Sequence, residues 1–342
     1  MRNVFIAIAA GALLIAGCGV KSVIPAGNFA GSPNGINGRS VHTAAMTITE
    51  TPVPQASSGP TGIVTGPDGN IWFTEYFKNS IAVFNVTTSK IKHFHITTAN
   101  ARPAGITVGP DGNLWFTESI GNKIGKITPA GVITEFPINI PKSDPIGITT
   151  GADGNLWFTE LDGNRIVSIS PTTGNLTGFL VPTPRSHPAF ITLGPDGALW
   201  FTENTAGKIG RLNGHFTEFA LPIGSNPEGI VTGPDGNLWF TDDALSQVDK
   251  MTTAGAVTTY PTLTAAAVPS RITVGPSDLG PAALWFTESG ANNIAEVTTA
   301  GVVSEFPAPT PASGLTGITL GPNNTVWFTE HIANKIGTVA GI

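Results

Sequence analysis

Seven acids recur at one place in the repeating part of this chain, each ending a copy of Trp-Phe-Thr-Glu or its Asp form: Glu75, Glu118, Glu160, Glu203, Asp242, Glu288 and Glu330. A carboxylate can hold a divalent cation, move a proton or pair with a base. An acid present in every copy cannot mark one site by itself. Four copies carry a cation five residues later, as Lys123, Arg165, Lys208 and Lys335. The simplest expectation is an ion pair across a short loop. Ser80, Gln247 and Asn293 stand at that place in copies one, five and six, and copy five adds a second acid, Asp243. Glu228, Asp242 and Asp243 are therefore candidate oxygen ligands for magnesium or calcium, or a site for a basic ligand group. A solvated acidic rim is the alternative.

A second motif, Pro-x-Gly-Ile, departs from its pattern twice. Phe190 and Arg271 stand where the other copies have Gly. Arg271 could grip a carboxylate or phosphate through its planar fork, or simply pair with Glu228. Phe190 could plug or line a channel. His187 precedes Pro188, and His331 follows Glu330. Glu228, Arg271, Glu330 and His331 are the candidate catalytic residues, and Glu228, Asp242, Asp243, Arg271, Phe190 and His187 the candidate ligand-binding set. His93 and His95 share one face of an extended segment by the period of two, a spacing that suits a metal, but no third ligand is evident nearby. There is no Ser-His-Asp order, phosphate loop or paired-cysteine motif.

The elements that position these residues follow from the spacing of the tryptophans. All 7 of them lie in the Trp-Phe-Thr-Glu copies, at Trp72, Trp115, Trp157, Trp200, Trp239, Trp285 and Trp327. A period near 40 to 45 residues fits a four-stranded propeller blade, so seven copies predict an all-β, seven-bladed β-propeller. In the second copy, Gly105 to Val108 reads as strand A and Leu114 to Glu118 as strand B, with Gly-Pro-Asp-Gly-Asn turning the chain between them. Lys123 to Thr128 reads as strand C and Val132 to Phe136 as strand D. The last copy lacks strand D, and residues 46–54 match its pattern. An N-terminal strand is thus expected to close the last blade and remove its open edge. Antiparallel order puts the D–A loops and the B–C loops on one face, around the mouth of the central channel. That face is the expected site for a small ligand or a partner.

The ends and the composition add context. Arg2 followed by an apolar run from Val4 to Ala16 reads as a secretory signal, too short to span a bilayer. Leu14-Ile15-Ala16-Gly17-Cys18 resembles a bacterial lipobox. Residues 1–17 are expected to be a signal peptide and Cys18, the only cysteine, the lipid attachment point. Residues 18–45 read as a flexible tether and 46–342 as the propeller. The expectation is an exported protein held to a bacterial membrane by lipid, acting as a monomer. A net charge of -6 without a basic run argues against nucleic acid.

Gly-Pro-Asp-Gly-Asn-Leu-Trp-Phe-Thr-Glu, then Gly-Asn-Lys-Ile-Gly-Lys-Ile and Ile-Thr-Glu-Phe-Pro, resembles the virginiamycin B lyase (streptogramin lyase) family across residues 46–342. The resemblance implies a propeller that opens a cyclic depsipeptide antibiotic by elimination, with a divalent metal. It places histidines at the x of Pro-x-Gly-Ile in repeats six and seven, and an assisting glutamate at the end of strand B in repeat seven. Here the x residues are Thr61, Ala104, Ile146, Ala189, Glu228, Ser270 and Thr316. None is histidine, and only Glu330, with the adjacent His331, matches. A lone hydroxyl does not replace an imidazole that must take a proton near neutral pH. The expectation is a ligand-binding propeller. The alternatives are a lyase or other enzyme with a rearranged site, and a structural scaffold of the envelope.

Overall fold

The computed structural model describes residues 21–23, 46–280 and 282–342. The expected signal peptide, Cys18 and most of the expected tether lie outside these residues. Within them the chain forms seven antiparallel sheets, six of four strands and one of five. Blade two shows the pattern, with strand A Pro103–Val108, B Leu114–Glu118, C Lys123–Ile127 and D Ile133–Pro137. Successive A strands touch one another all the way round, and Leu315–Leu320 meets Pro60–Thr65 to complete the ring. Strand B of blade two is buried at every position, as expected for a strand with protein on both faces. Strand D is the half-exposed outer strand.

Each blade is held by the residues that make the sequence repeat. The Trp115 indole stacks on Phe136 of strand D, with centroids 5.4 Å apart. Its ring N–H donates to the carboxylate of Asp111 at 3.0 Å. The aspartate of the Gly-Pro-Asp-Gly turn therefore both shapes the turn and anchors the tryptophan. Trp72, Trp157, Trp200 and Trp239 do the same with Asp68, Asp153, Asp196 and Asp235. The last two copies lack that aspartate. Trp285 donates instead to the Pro276 carbonyl at 2.8 Å, and Trp327 to the Thr325 hydroxyl at 2.9 Å.

The threonine of Trp-Phe-Thr-Glu joins one blade to the next. In every blade the A–B pairing slips by one residue within Pro-x-Gly-Ile, a β-bulge such as that between Pro145 and Ile148. The Gly147 N–H, left without a ladder partner, donates to Thr159 Oγ1 at 2.9 Å. The Thr159 hydroxyl then donates to the Ala189 carbonyl of the next blade at 2.8 Å. The same relay runs from Thr74 to Ala104, Thr117 to Ile146, Thr241 to Ser270, Thr287 to Thr316 and Thr329 to Thr61. Two buried backbone groups per junction are satisfied by one hydroxyl, which saves the cost of leaving them unmade.

The ring closes as the sequence predicts. Thr47–Pro52 pairs antiparallel with Lys335–Ala340, from Thr47 opposite Ala340 to Pro52 opposite Lys335. Asn334 adds a clasp. Its amide donates to the carbonyls of Val53 and Gln55, each at 3.0 Å, and its side-chain oxygen accepts from the Ser58 N–H at 2.6 Å. Lys21–Val23, part of the segment read as a tether, lies outside Thr47–Pro52 as a fifth strand of this sheet. No helix among the described residues is long and apolar enough to cross a membrane.

Candidate functional site

The third and fourth residues of each Pro-x-Gly-Ile line the axis, where the A strands crowd together. A Cβ on Gly62 would stand 2.2 Å from the Ala104 carbonyl oxygen, and one on Gly317 2.2 Å from that of Thr61. Gly is needed there for close approach of neighbouring backbones. The two exceptions occupy the channel itself. Phe190 and Arg271 line an axial cavity of about 140 Å³ together with the Gly-Ile pairs of the other blades. The Arg271 guanidinium lies over the Phe190 ring, 3.5 Å from its centroid. Arg271 Nη1 also meets Glu228 Oε2 at 3.0 Å. Asn204 donates to the other Glu228 oxygen at 3.0 Å. The pairing of Arg271 with Glu228 thus forms, and it forms at the channel lining, with the cation held on an aromatic face.

The three acids proposed as metal ligands do not act together. Asp242 is turned inward and fully buried. Its Oδ1 accepts from the backbone N–H groups of Asn226 and Leu245 at 3.0 and 3.2 Å. Asp243 takes the Asn226 side-chain amide at 2.7 Å. Burial pushes the Asp243 carboxyl up to about 6, with the nearby charges of Glu228 and Asp242 adding to the rise. Glu228 is committed to Arg271 and Asn204. Among the described residues no group of three or more His, Cys, Asp or Glu side chains is placed to hold a metal ion. The residues present do not fit the divalent cation that the family pattern implies.

The strand B acids require a correction. They were expected to meet the cation five residues later as exposed loop pairs. All seven are buried, and three of those cations reach past them to an acid on strand D. Lys123 meets Glu135 at 3.7 Å, Lys208 meets Glu218 at 3.0 Å and Lys335 meets Glu50 at 2.7 Å. In blades two and four the strand D acid sits nearer solvent and keeps its charge at lower cost, whereas Glu50 is itself buried, and against that burial hydrogen bonds from Lys335 and Thr310 hold its carboxyl below the ordinary value. The strand B acid is left beside the strand D acid in the interior. Burial, reinforced by the neighbouring acid, raises Glu118 to about 8, Glu203 to about 7, Glu288 to about 8 and Glu330 to about 9. Burial also raises Glu160 to about 7, against the attraction of Arg165. In blade one Glu75 meets His93 Nδ1 at 2.8 Å instead. His93 is thereby taken from any metal pair with His95. Glu330 is one member of this repeated set, held as the neutral acid beside Glu50, and not a free carboxylate at the mouth.

The two positions where the family pattern has histidine carry hydroxyls that are already engaged or weakly placed. Thr316 Oγ1 lies 2.8 Å from Thr329 Oγ1, and Ser270 Oγ lies 3.4 Å from Arg271 Nη1. His187 Nδ1 lies 2.6 Å from the Thr205 hydroxyl, with Asp162 3.9 Å from its other nitrogen. His331 belongs to a different cluster. Its Nδ1 lies 3.0 Å from Thr61 Oγ1, and its ring centroid 4.9 Å from that of Phe77. Burial lowers its basicity below the ordinary value, and the Arg102 charge adds to this. Arg102 lies over Tyr76 and Phe77 in turn, at 4.9 and 5.1 Å. Sequence reasoning did not single out Tyr76, Phe77 and Arg102. The available signal was that Arg102 holds the place before the strand A proline that Gly59 holds in the preceding repeat.

Residues 46–222 and 212–341 match the Virginiamycin B lyase family. The fold matches selenomethionine-substituted virginiamycin B lyase from Staphylococcus aureus at 38% identity and a TM-score of 0.81, covering 87% of this chain and 100% of that one. A catalytically inactive histidine-to-alanine variant of the same enzyme, solved with quinupristin, matches at 38% identity and 0.82, with the same coverage. Hydrazine synthase from Kuenenia stuttgartiensis, at 15% identity and a TM-score of 0.70 over 85% of this chain and 98% of that one, shares the fold alone. No curated relative matches. The chain belongs to the virginiamycin B lyase family.

Proposed function

We propose that this protein is a ligand-binding propeller that has kept the family's fold and its recognition face without the family's elimination chemistry. The observation that carries the reading is the axial cavity lined by Phe190 and Arg271, with Arg271 paired to Glu228, together with hydroxyls at Ser270 and Thr316 where the family pattern has histidine. A guanidinium on an aromatic face, with only one of its ends committed to Glu228, suits a small molecule with an apolar body and carbonyl or anionic oxygens. Quinupristin, the compound solved with the S. aureus relative, is the first ligand to test. Titration calorimetry should give saturable binding that Arg271→Ala weakens at least tenfold. Equal binding by the variant would remove the cavity from the reading.

A second reading is favoured by His331. Its low basicity keeps the imidazole neutral near pH 7, hydrogen-bonded to Thr61 on the same face, which is the state a general base requires. A rearranged lyase would use it, and His331→Ala would then abolish turnover. For location, we propose export and lipid attachment at Cys18, supported by the signal-like run that precedes it.

A further inference from the structure

The cluster at the junction of blades seven, one and two is built unlike the corresponding loops elsewhere in the ring. Tyr76 and Phe77 lie in the B–C turn of blade one, His331 in that of blade seven and Arg102 before strand A of blade two. Gly59 forms the floor. Its φ is +63, and a Cβ there would stand 2.5 Å from Phe77 Cδ2 and 3.0 Å from His331 Cε1. The two rings therefore rest on backbone that only glycine leaves open. Phe77 is 50% exposed, and Ile332 and Ile120 on neighbouring turns are 57% and 63% exposed. Arg102 is fixed by its backbone as well as by its stacking. Its carbonyl accepts from the Ser119 N–H and hydroxyl at 3.2 and 3.1 Å. Among the described residues no carboxylate pairs with it.

We propose that this cluster is a recognition subsite for a planar aromatic group bearing an anionic oxygen, such as an aryl carboxylate. The ring of the ligand packs on Phe77 and His331 between the exposed isoleucines, and its oxygens meet the outward N–H groups of Arg102. An arginine already ordered on two aromatic rings loses little freedom on binding, and a carboxylate satisfies its fork in a bidentate way. The subsite rests on the reading of this face as a ligand-binding one and names the chemistry of one part of the ligand.

The test uses the full chain and two probes that differ only in charge, 2-naphthoate and 2-naphthamide, followed by calorimetry and ligand-observed NMR. The acid should bind at least tenfold tighter than the amide. Arg102→Gln should erase that difference, and Phe77→Ala should weaken both probes alike. Melting curves confirm that each variant folds, and the acid-to-amide ratio in the wild-type protein needs no variant at all. Equal binding of acid and amide, or an acid preference that survives Arg102→Gln, overturns the subsite. Quinupristin binding that depends on Arg271 while naphthoate fails to bind also overturns it, and leaves the wider reading of the face standing. Failure of both ligands removes both.

Discussion

Replacing Glu330 by Gln should make the protein less sensitive to alkali. The folded state holds the Glu330 carboxyl at about 9, chiefly through burial and then through Glu50 beside it. The unfolded chain releases that proton near 4.5. The folded-state value is raised, so between these limits the folded protein carries a proton that the unfolded chain has lost. Stability then falls as pH rises from above 4.5 toward 9, at about 1.4 kcal/mol per pH unit for this one group. Between pH 6 and pH 8 the cost amounts to at most about 3 kcal/mol. Gln fills the same space beside Glu50 and does not ionise. The stability of Glu330→Gln relative to wild type should therefore rise by up to about 3 kcal/mol between pH 6 and pH 8. Other titrating groups are common to both proteins and cancel in the difference. Urea unfolding followed by tryptophan fluorescence at constant ionic strength measures it. Glu118→Gln, at the equivalent place in blade two, should behave alike up to about pH 8. Parallel stability curves for wild type and both variants would refute the argument that these acids are buried in the neutral form.

Three further outcomes follow from the fold and the chain's N-terminal region. Thr159→Val leaves the Gly147 N–H and the Ala189 carbonyl without their hydroxyl, and should cost about 2 to 4 kcal/mol by denaturant unfolding, whereas a cost near zero would mean that other groups replace it. Removing residues before 46 should take away only the short outer strand, while removing residues through 55 strips Thr47–Pro52 from Lys335–Ala340 and should lower stability by several kcal/mol; equal melting temperatures for the two truncations would contradict the closure. Cys18→Ser should release the protein from the membrane fraction, and unchanged fractionation with unchanged mass after lipid labelling would sink the anchoring proposal.

Much of the architecture was legible because one period carries it. Trp115, Asp111 and Phe136 recur in register, and each has a local reason to be where it is. The N-terminal strand was legible for the same reason, since residues 46–54 copy a strand D that blade seven lacks. The partners of the repeated acids were not legible. Glu118 and Lys123 stand opposite each other in the B–C ladder, but the choice between Glu118 and Glu135 is decided by burial, which sequence spacing does not report. Asp242 misled for a related reason. Its neighbour Asp243 suggested a pair of ligands, while alternation along the chain sends one inward to backbone amides and the other outward. Arg271 and Phe190 were legible as exceptions to a glycine rule. That they touch each other across the channel follows only from the ring, which brings blades four and six to one axis.

The proposed function joins a ligand-binding face to the loss of the family's proton acceptor. The most direct measurement incubates the purified protein with quinupristin, with and without magnesium, and follows opening of the ring by mass spectrometry beside the S. aureus enzyme. Quinupristin should remain intact after a time in which the S. aureus enzyme has consumed it, and calorimetry should show binding that depends on Arg271. Steady ring opening by this protein, lost in His331→Ala, Glu228→Gln or Arg271→Ala, would make it a lyase whose chemistry had moved to those residues.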